Sequence, residues 1–143
     1  MSLNVCTGAS TSRGRAINAA GHIAGWCFFS QVNGYPNGRP AMRNAFLWTP
    51  QGGIRDLGPL GNKRADVFAI GADDTVLGFT VASTGARVAF VAKAGGAIQD
   101  LNTFIPAGSG WVLNEAHAIN SKGQIAGTGT LNGVAAGFVL TPN

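Results

Sequence analysis

Few side chains in this sequence could carry out chemistry. His22 and His117 are its only histidines, Glu115 its only glutamate, and Asp73-Asp74 its only adjacent pair of carboxylates. A glycosidase-type acid and base must face one another across a cleft, and a hydroxyl or thiol nucleophile needs a base within hydrogen-bond reach. No spacing here singles out either arrangement. The glycine-rich stretch Ala94-Gly95-Gly96-Ala97 lacks the following Lys-Ser/Thr that a phosphate-cradling loop requires, and reads as a turn. Cys6 and Cys27 are too few for a disulfide framework and lack the closely spaced partners of a zinc site. They could form one bridge in an oxidising compartment, but buried free thiols are the preferred reading. No catalytic constellation, metal or cofactor is therefore expected.

Binding chemistry has better candidates. Arg13, Arg15, Arg39, Arg43 and Arg55 all precede the first acidic residue, Asp56, and the net charge is +4. Such a basic third could form a patch for an anionic partner, a glycan or other anionic polymer. Scattered solubilising arginines are the preferred reading, because no Lys/Arg run and no basic-aromatic interleaving mark a nucleic-acid site. The ligand-binding candidates are Tyr35, Arg39, Arg43 and Trp111. Tyr35 and Arg39 sit in a turn-rich insertion, Arg43 closes it, and Trp111 lies in a second irregular connection, so stacking and charge could act on a sugar from loops. Trp26 and Trp48 are expected in the core.

What must position these residues is a repeat. Ala16-Ile17-Asn18-Ala19-Ala20-Gly21-His22-Ile23-Ala24-Gly25 aligns with Ala69-Ile70-Gly71-Ala72-Asp73-Asp74-Thr75-Val76-Leu77-Gly78 and with Ala118-Ile119-Asn120-Ser121-Lys122-Gly123-Gln124-Ile125-Ala126-Gly127. Each copy is followed by a second block, Ala45-Phe46-Leu47-Trp48, Ala89-Phe90-Val91-Ala92 or Gly137-Phe138-Val139-Leu140, and the first two by a third block ending Asp56-Leu57 or Asp100-Leu101. The first block reads as strand, turn, strand: Asn18, Asn120 and Asp73 close turns on their own backbone, while Gly21, Gly123 and Asp74 take the left-handed position. The Phe46 strand is apolar on both faces and is expected to be buried. His22, His117, Asp56 and Asp100 fall at repeat positions, which favours structural roles over catalysis.

These signals, with 22 glycines and few residues that favour exposed helix, predict a single all-β domain over residues 1–143. It would hold three tandem antiparallel units of about fifty residues and four strands each, arranged as β-propeller-like blades, with a β-trefoil as the alternative. The units run over 15–60, 67–104 and 116–143. The third stops at Leu140-Thr141-Pro142-Asn143, before its Asp-Leu strand, whereas Ser2-Leu3-Asn4 looks like Asp100-Leu101-Asn102. Residues 2–6 are therefore expected to complete the last unit, within one chain or by exchange in a dimer; the dimer is the expectation. No segment reaches the ~20 apolar residues of a membrane-spanning helix, and the opening residues lack the pattern of an export signal.

Asn44-Ala45-Phe46-Leu47-Trp48-Thr49-Pro50 followed by Gly53-Ile54-Arg55-Asp56-Leu57-Gly58, with the Ala-Ile-Asn blocks between copies, resembles the HAF-repeat family; so does the run from Asp100-Leu101-Asn102 to Trp111. The name-giving histidine stands here as Asn44, Val88 and Ala136. The resemblance implies an extracellular or cell-surface bacterial protein of β-propeller-like build, with no active-site residues to transfer. The functional expectation is a non-catalytic module for binding or assembly, the alternative a carbohydrate-active enzyme or lectin-like sugar binder with its site in the irregular loops.

Overall fold

The computed structural model describes residues 2–30, 41–58, 60 and 64–143. Turn chemistry builds it locally. Strand β1 (Thr11–Ile17) leads into β2 (Ile23–Phe29) through a turn in which Asn18 Oδ1 accepts from the backbone N–H of Ala20 and of His22, with Gly21 at φ +80°. Beyond β3 (Met42–Thr49), β4 (Gly53–Gly58), β5 (Ala65–Ile70), β6 (Val76–Val81), β7 (Arg87–Ala92) and the two-residue β8 (Gln99–Asp100) come β9 (Trp111–Ile119), β10 (Ile125–Leu131) and β11 (Val134–Leu140). The β9–β10 turn repeats the first, with Asn120 Oδ1 accepting from Lys122 and Gln124 N–H and Gly123 at φ +78°. In the β5–β6 turn Asp73 takes over as acceptor and Asp74 stands at φ +66°.

The fold is all-β, 56% strand without α-helix, in three antiparallel sheets of four, four and three strands, none closed. Their orders are β1-β2-β3-β4, β5-β6-β7-β8 and β11-β10-β9, each a meander of consecutive strands. A 3-10 turn at Leu101–Phe104 follows β8, with the Asp100 side chain at its N-cap accepting from the Asn102 N–H. No helix among the described residues is long and apolar enough to cross a membrane.

One packing device occurs in every sheet. A Cβ added at Gly25, Gly78 or Gly127 would stand 1.9, 1.8 or 2.0 Å from the carbonyl oxygen of Arg13, Asp66 or Glu115, and 2.8, 2.9 or 2.6 Å from the ring of Phe46, Phe90 or Phe138. The glycine thus leaves room for a bulged first strand on one side and an aromatic ring from the third strand of the unit. Phe46 and Phe90 are fully buried.

The sheets stack in chain order. Ala24, Ala45, Leu47 and Leu57 of the first sheet pack on Ala65, Val67, Val76 and Phe90 of the second; Leu77, Ala89 and Val91 on its other face pack on Leu113, Ala116, Ile125 and Phe138 of the third. The turns are tied as well: Asn18 Nδ2 donates to Gly71 O at 3.0 Å and to Asp74 Oδ1 at 2.9 Å, and His22 Nδ1 lies 2.8 Å from the same carboxylate. Asp74→Ala removes the two links to the Asp74 carboxylate and leaves Asn18 Nδ2 on Gly71 O; with hydrogen bonds to a charged group at about 1.5–3 kcal/mol, a urea titration should show a loss in that range.

The free face of the first sheet is covered by the N-terminal segment: Cys27, Phe29, Phe46 and Trp48 pack with Cys6, Leu3 and Ala9. Cys6 and Cys27 form a disulfide, which corrects the expectation of free thiols. The reason is that the segment folds back along β2 until Cys6 N–H donates to Cys27 Sγ and the two Cα atoms stand 6.0 Å apart, within bridging range. Ser12 Oγ donates to Asn4 O, so residues 2–6 lie along the first sheet and do not complete the third within this chain. Among the described residues β11 has β10 beside it and no strand on its other edge.

Candidate functional site

The strand registers place charge where the first interface between sheets loses its apolar filling. Arg13 pairs with Trp26, Trp26 with Ala45 and Phe28 with Arg43, all on the face that carries Ala24 and Leu47 toward the second sheet. Near the Phe29 end of β2 the small core residues give way to arginines. The Arg43 guanidinium lies 4.2 Å from the centre of the Trp26 ring and that of Arg13 lies 5.3 Å from it, so both use the ring's negative face. A parallel bridge sets the backbone of Arg43 beside that of Arg64, just ahead of β5.

One carboxylate serves this group. Asp66 Oδ2 is 3.3 Å from Arg64 Nη2 and 3.8 Å from Arg43 Nη1. Burial pushes the Arg43 guanidinium below its ordinary pKa, Arg64 pushes it further, Asp66 opposes them and Arg13 adds to the repulsion. Arg43 remains a cation at neutral pH. The cluster holds an excess of positive charge that an anion would relieve. Beside it opens a cleft of about 330 Å³ lined by Phe28, Ala41, Met42, Arg43, Arg64 and Val81.

The next interface separates scaffold from surplus. Phe79, Arg87 and Glu115 occupy there the repeat positions of Trp26, Arg43 and Asp66. Arg87 lies 4.4 Å over the Phe79 ring and pairs with Glu115. His117 stacks on Phe68 at 4.5 Å and reaches Glu115 Oε2 at 2.9 Å. The aromatic-arginine-carboxylate triple therefore joins one sheet to the next at both places. What distinguishes the first interface is the addition of Arg13 and Arg64.

Of the sequence-derived candidates, Arg43 stands at the centre of this cluster. Tyr35 and Arg39 fall in residues 31–40, outside the described residues. Trp111 is not in a loop: it opens β9, pairs with Leu131 and meets Phe138 edge-on at 6.4 Å, far along the chain from Arg43. Trp26 and Trp48 are buried, as a core role requires. Arg64 and Asp66 are the members that sequence reasoning left out; Arg13 entered it only as part of the basic third and Trp26 only as a core residue. The recurrence of arginine three residues before Phe46 and Phe90, with an aromatic directly after Gly25 and Gly78, marked Arg43 and Trp26.

Asp56 accepts from Gly58 N–H and from Asn44 Nδ2, so the residue in the place of the name-giving histidine is a buried strand-pairing group. Among the described residues no three His, Cys, Asp or Glu side chains gather where they could hold a metal ion. No family model, no curated protein and no solved structure matches this chain.

Proposed function

We propose that this chain is a non-catalytic binding module, built of propeller-like blades and displayed outside the cell, which holds the carboxylate groups of an acidic glycan at the cleft lined by Arg43 and Arg64, with Arg13 stacked beside Arg43 on Trp26. The observation that carries this reading is the stacking of Arg13 and Arg43 on Trp26, with Arg64 beside Arg43 and one carboxylate, Asp66, shared by Arg43 and Arg64. Guanidinium forks pair with planar carboxylates in bidentate fashion, and the half-buried Phe28, which lines the cleft with Ala41, Met42 and Val81, offers an apolar face to a sugar ring. The Cys6–Cys27 bridge fits an oxidising compartment. The sequence likeness to HAF repeats supports the blade-like build and the exterior location. A pair of such chains would present two clefts to one polymer.

Calorimetric titration at low salt with an oligogalacturonate, and with a neutral oligosaccharide as control, tests the proposal. Binding is expected for the acidic glycan alone and should weaken as salt rises. Arg64→Ala is expected to weaken it ten- to hundredfold, the equivalent of about 1.5–3 kcal/mol for a charged hydrogen-bond partner. Arg43→Lys should weaken it too, because lysine keeps the charge and loses both the fork and the stacking on Trp26. Tyr35→Ala and Arg39→Ala test whether the insertion contributes. Equal binding of both glycans, or no effect of Arg64→Ala, would sink the reading.

A further inference from the structure

A second cleft holds two opposite charges that do not pair with each other. It measures about 440 Å³ and lies where the β3–β4, β5–β6 and β7–β8 turns come together, with Leu47, Ile54, Arg55, Asp74 and Gly95 in its lining. Arg55 stands opposite Leu47 in the β3–β4 register, on the face that packs toward the second sheet. Its guanidinium reaches across to the β7–β8 turn, where a Cβ on Gly95 would stand 3.1 Å from Nη1. That turn is closed by Gly96 N–H on Lys93 O, with Ala94 at φ +37° and Gly95 at φ +79°. Left-handed backbone is strained for alanine as it is not for glycine, and such strain gathers at functional sites. Arg55 is exposed and forms no ion pair among the described residues.

Asp74 is fixed from the first sheet. Asn18 Nδ2 donates to Oδ1, His22 Nδ1 lies 2.8 and 2.9 Å from the two oxygens, and the side chain stays 23% exposed. An ionised carboxylate offers about four lone-pair sites, so acceptor capacity remains, chiefly on Oδ2. Both charges are therefore held before any ligand arrives, and a ligand is spared the cost of ordering them. We propose that this cleft binds a small zwitterion, the α-ammonium and carboxylate of a free amino acid or a dipeptide. The carboxylate pairs with the Arg55 fork and the ammonium with Asp74, while Leu47 and Ile54 offer apolar surface to an aliphatic side chain. Two signs in one cleft select this class. A simple anion would meet the like charge of Asp74 and a simple cation that of Arg55.

The test is an NMR titration of the isotope-labelled chain with leucine and with leucyl-leucine, followed at the amides of Gly53 and Gly95. At least one of the two is expected to shift these amides saturably, and the tighter binder tells which source fits. N-acetyl-leucine lacks the ammonium and leucinamide lacks the carboxylate; each should bind about tenfold more weakly or worse. Arg55→Gln should weaken the zwitterion by a similar factor and leave amides away from the cleft in place, since the side chain it replaces is exposed. Asp74→Asn should do likewise, removing the second charge with a side chain that tolerates the φ of +66° there. No saturable shift with either zwitterion would overturn the proposal. So would N-acetyl-leucine or leucinamide binding as tightly as leucine, or an affinity unchanged in Arg55→Gln. The cleft shares none of its described lining residues with the one at Arg43 and Arg64, so the two readings fail separately.

Discussion

Gly78→Ala is expected to destabilise the protein by about 3 kcal/mol, the upper part of the range for overpacked cores, and Phe90→Ala by about 3–5 kcal/mol. Gly78 is squeezed between the Asp66 carbonyl, 1.8 Å from an added Cβ, and the Phe90 ring at 2.9 Å. The two neighbours differ in how they can yield. A ring can tilt, but the Asp66 carbonyl belongs to a bulged strand whose Val67 is itself fully buried. Removing the ring should therefore rescue little: the double variant is expected to fall short of additivity by no more than about 1 kcal/mol. Urea midpoints of the two single variants and the double decide this. A double variant as stable as Phe90→Ala alone would show that the ring, and not the backbone, demands the glycine. Against a total stability of about 5–15 kcal/mol, either change removes a large share.

That device explains why the fold was legible in the sequence. The glycine and the phenylalanine of each unit are fixed by mutual contact inside one sheet, so they recur as residue types at regular positions. The turns were legible for the same reason. Asn18 and Asn120 bond to N–H groups two and four residues ahead, and Gly21, Gly123 and Asp74 take positive φ, all within a five-residue span. The arginine cleft is different in kind. Arg13, Trp26 and Arg43 come from three strands of one sheet, while Arg64 and Asp66 come from the next, so cross-strand register and sheet stacking both have to be known before they meet. Arg43 could be singled out because it borders the insertion; Arg64 offered no such sign.

The disulfide was illegible because a separation of 21 residues says nothing about approach. What brings Cys6 to Cys27 is the need to cover Phe46 and Trp48, a face that in the second and third sheets is covered by the sheet before it. The first sheet has no predecessor among the described residues. Its N-terminal segment takes that place with Leu3, Cys6 and Ala9. At the other end of the stack, Thr128 and Ala135 stand where the first sheet has Trp26 and Arg43 and the second has Phe79 and Arg87. The third sheet thus lacks the aromatic-arginine pair by which each of the other two meets its successor.

Reduction of Cys6–Cys27 is expected to cost about 3 kcal/mol, the chain-entropy value for a loop of roughly twenty residues. The bridge closes a loop that includes β1, so opening it frees the whole N-terminal segment and one edge strand in the unfolded chain. In the folded chain the segment is tied by Ser12 Oγ on Asn4 O, Cys6 N–H on Cys27 Sγ and the contacts of Leu3, Cys6 and Ala9 with the first sheet. Those are too weak to hold it alone, since a single intramolecular hydrogen bond contributes only about 0.5–1.5 kcal/mol. The urea midpoint should therefore fall on adding reductant, and residues 2–9 should become the first site of proteolysis. Cys6→Ala/Cys27→Ala should show the lowered midpoint without reductant and no further change with it. A midpoint that reductant leaves in place would mean that the apolar cover over Phe46 and Trp48, and not the covalent bond, fixes the segment.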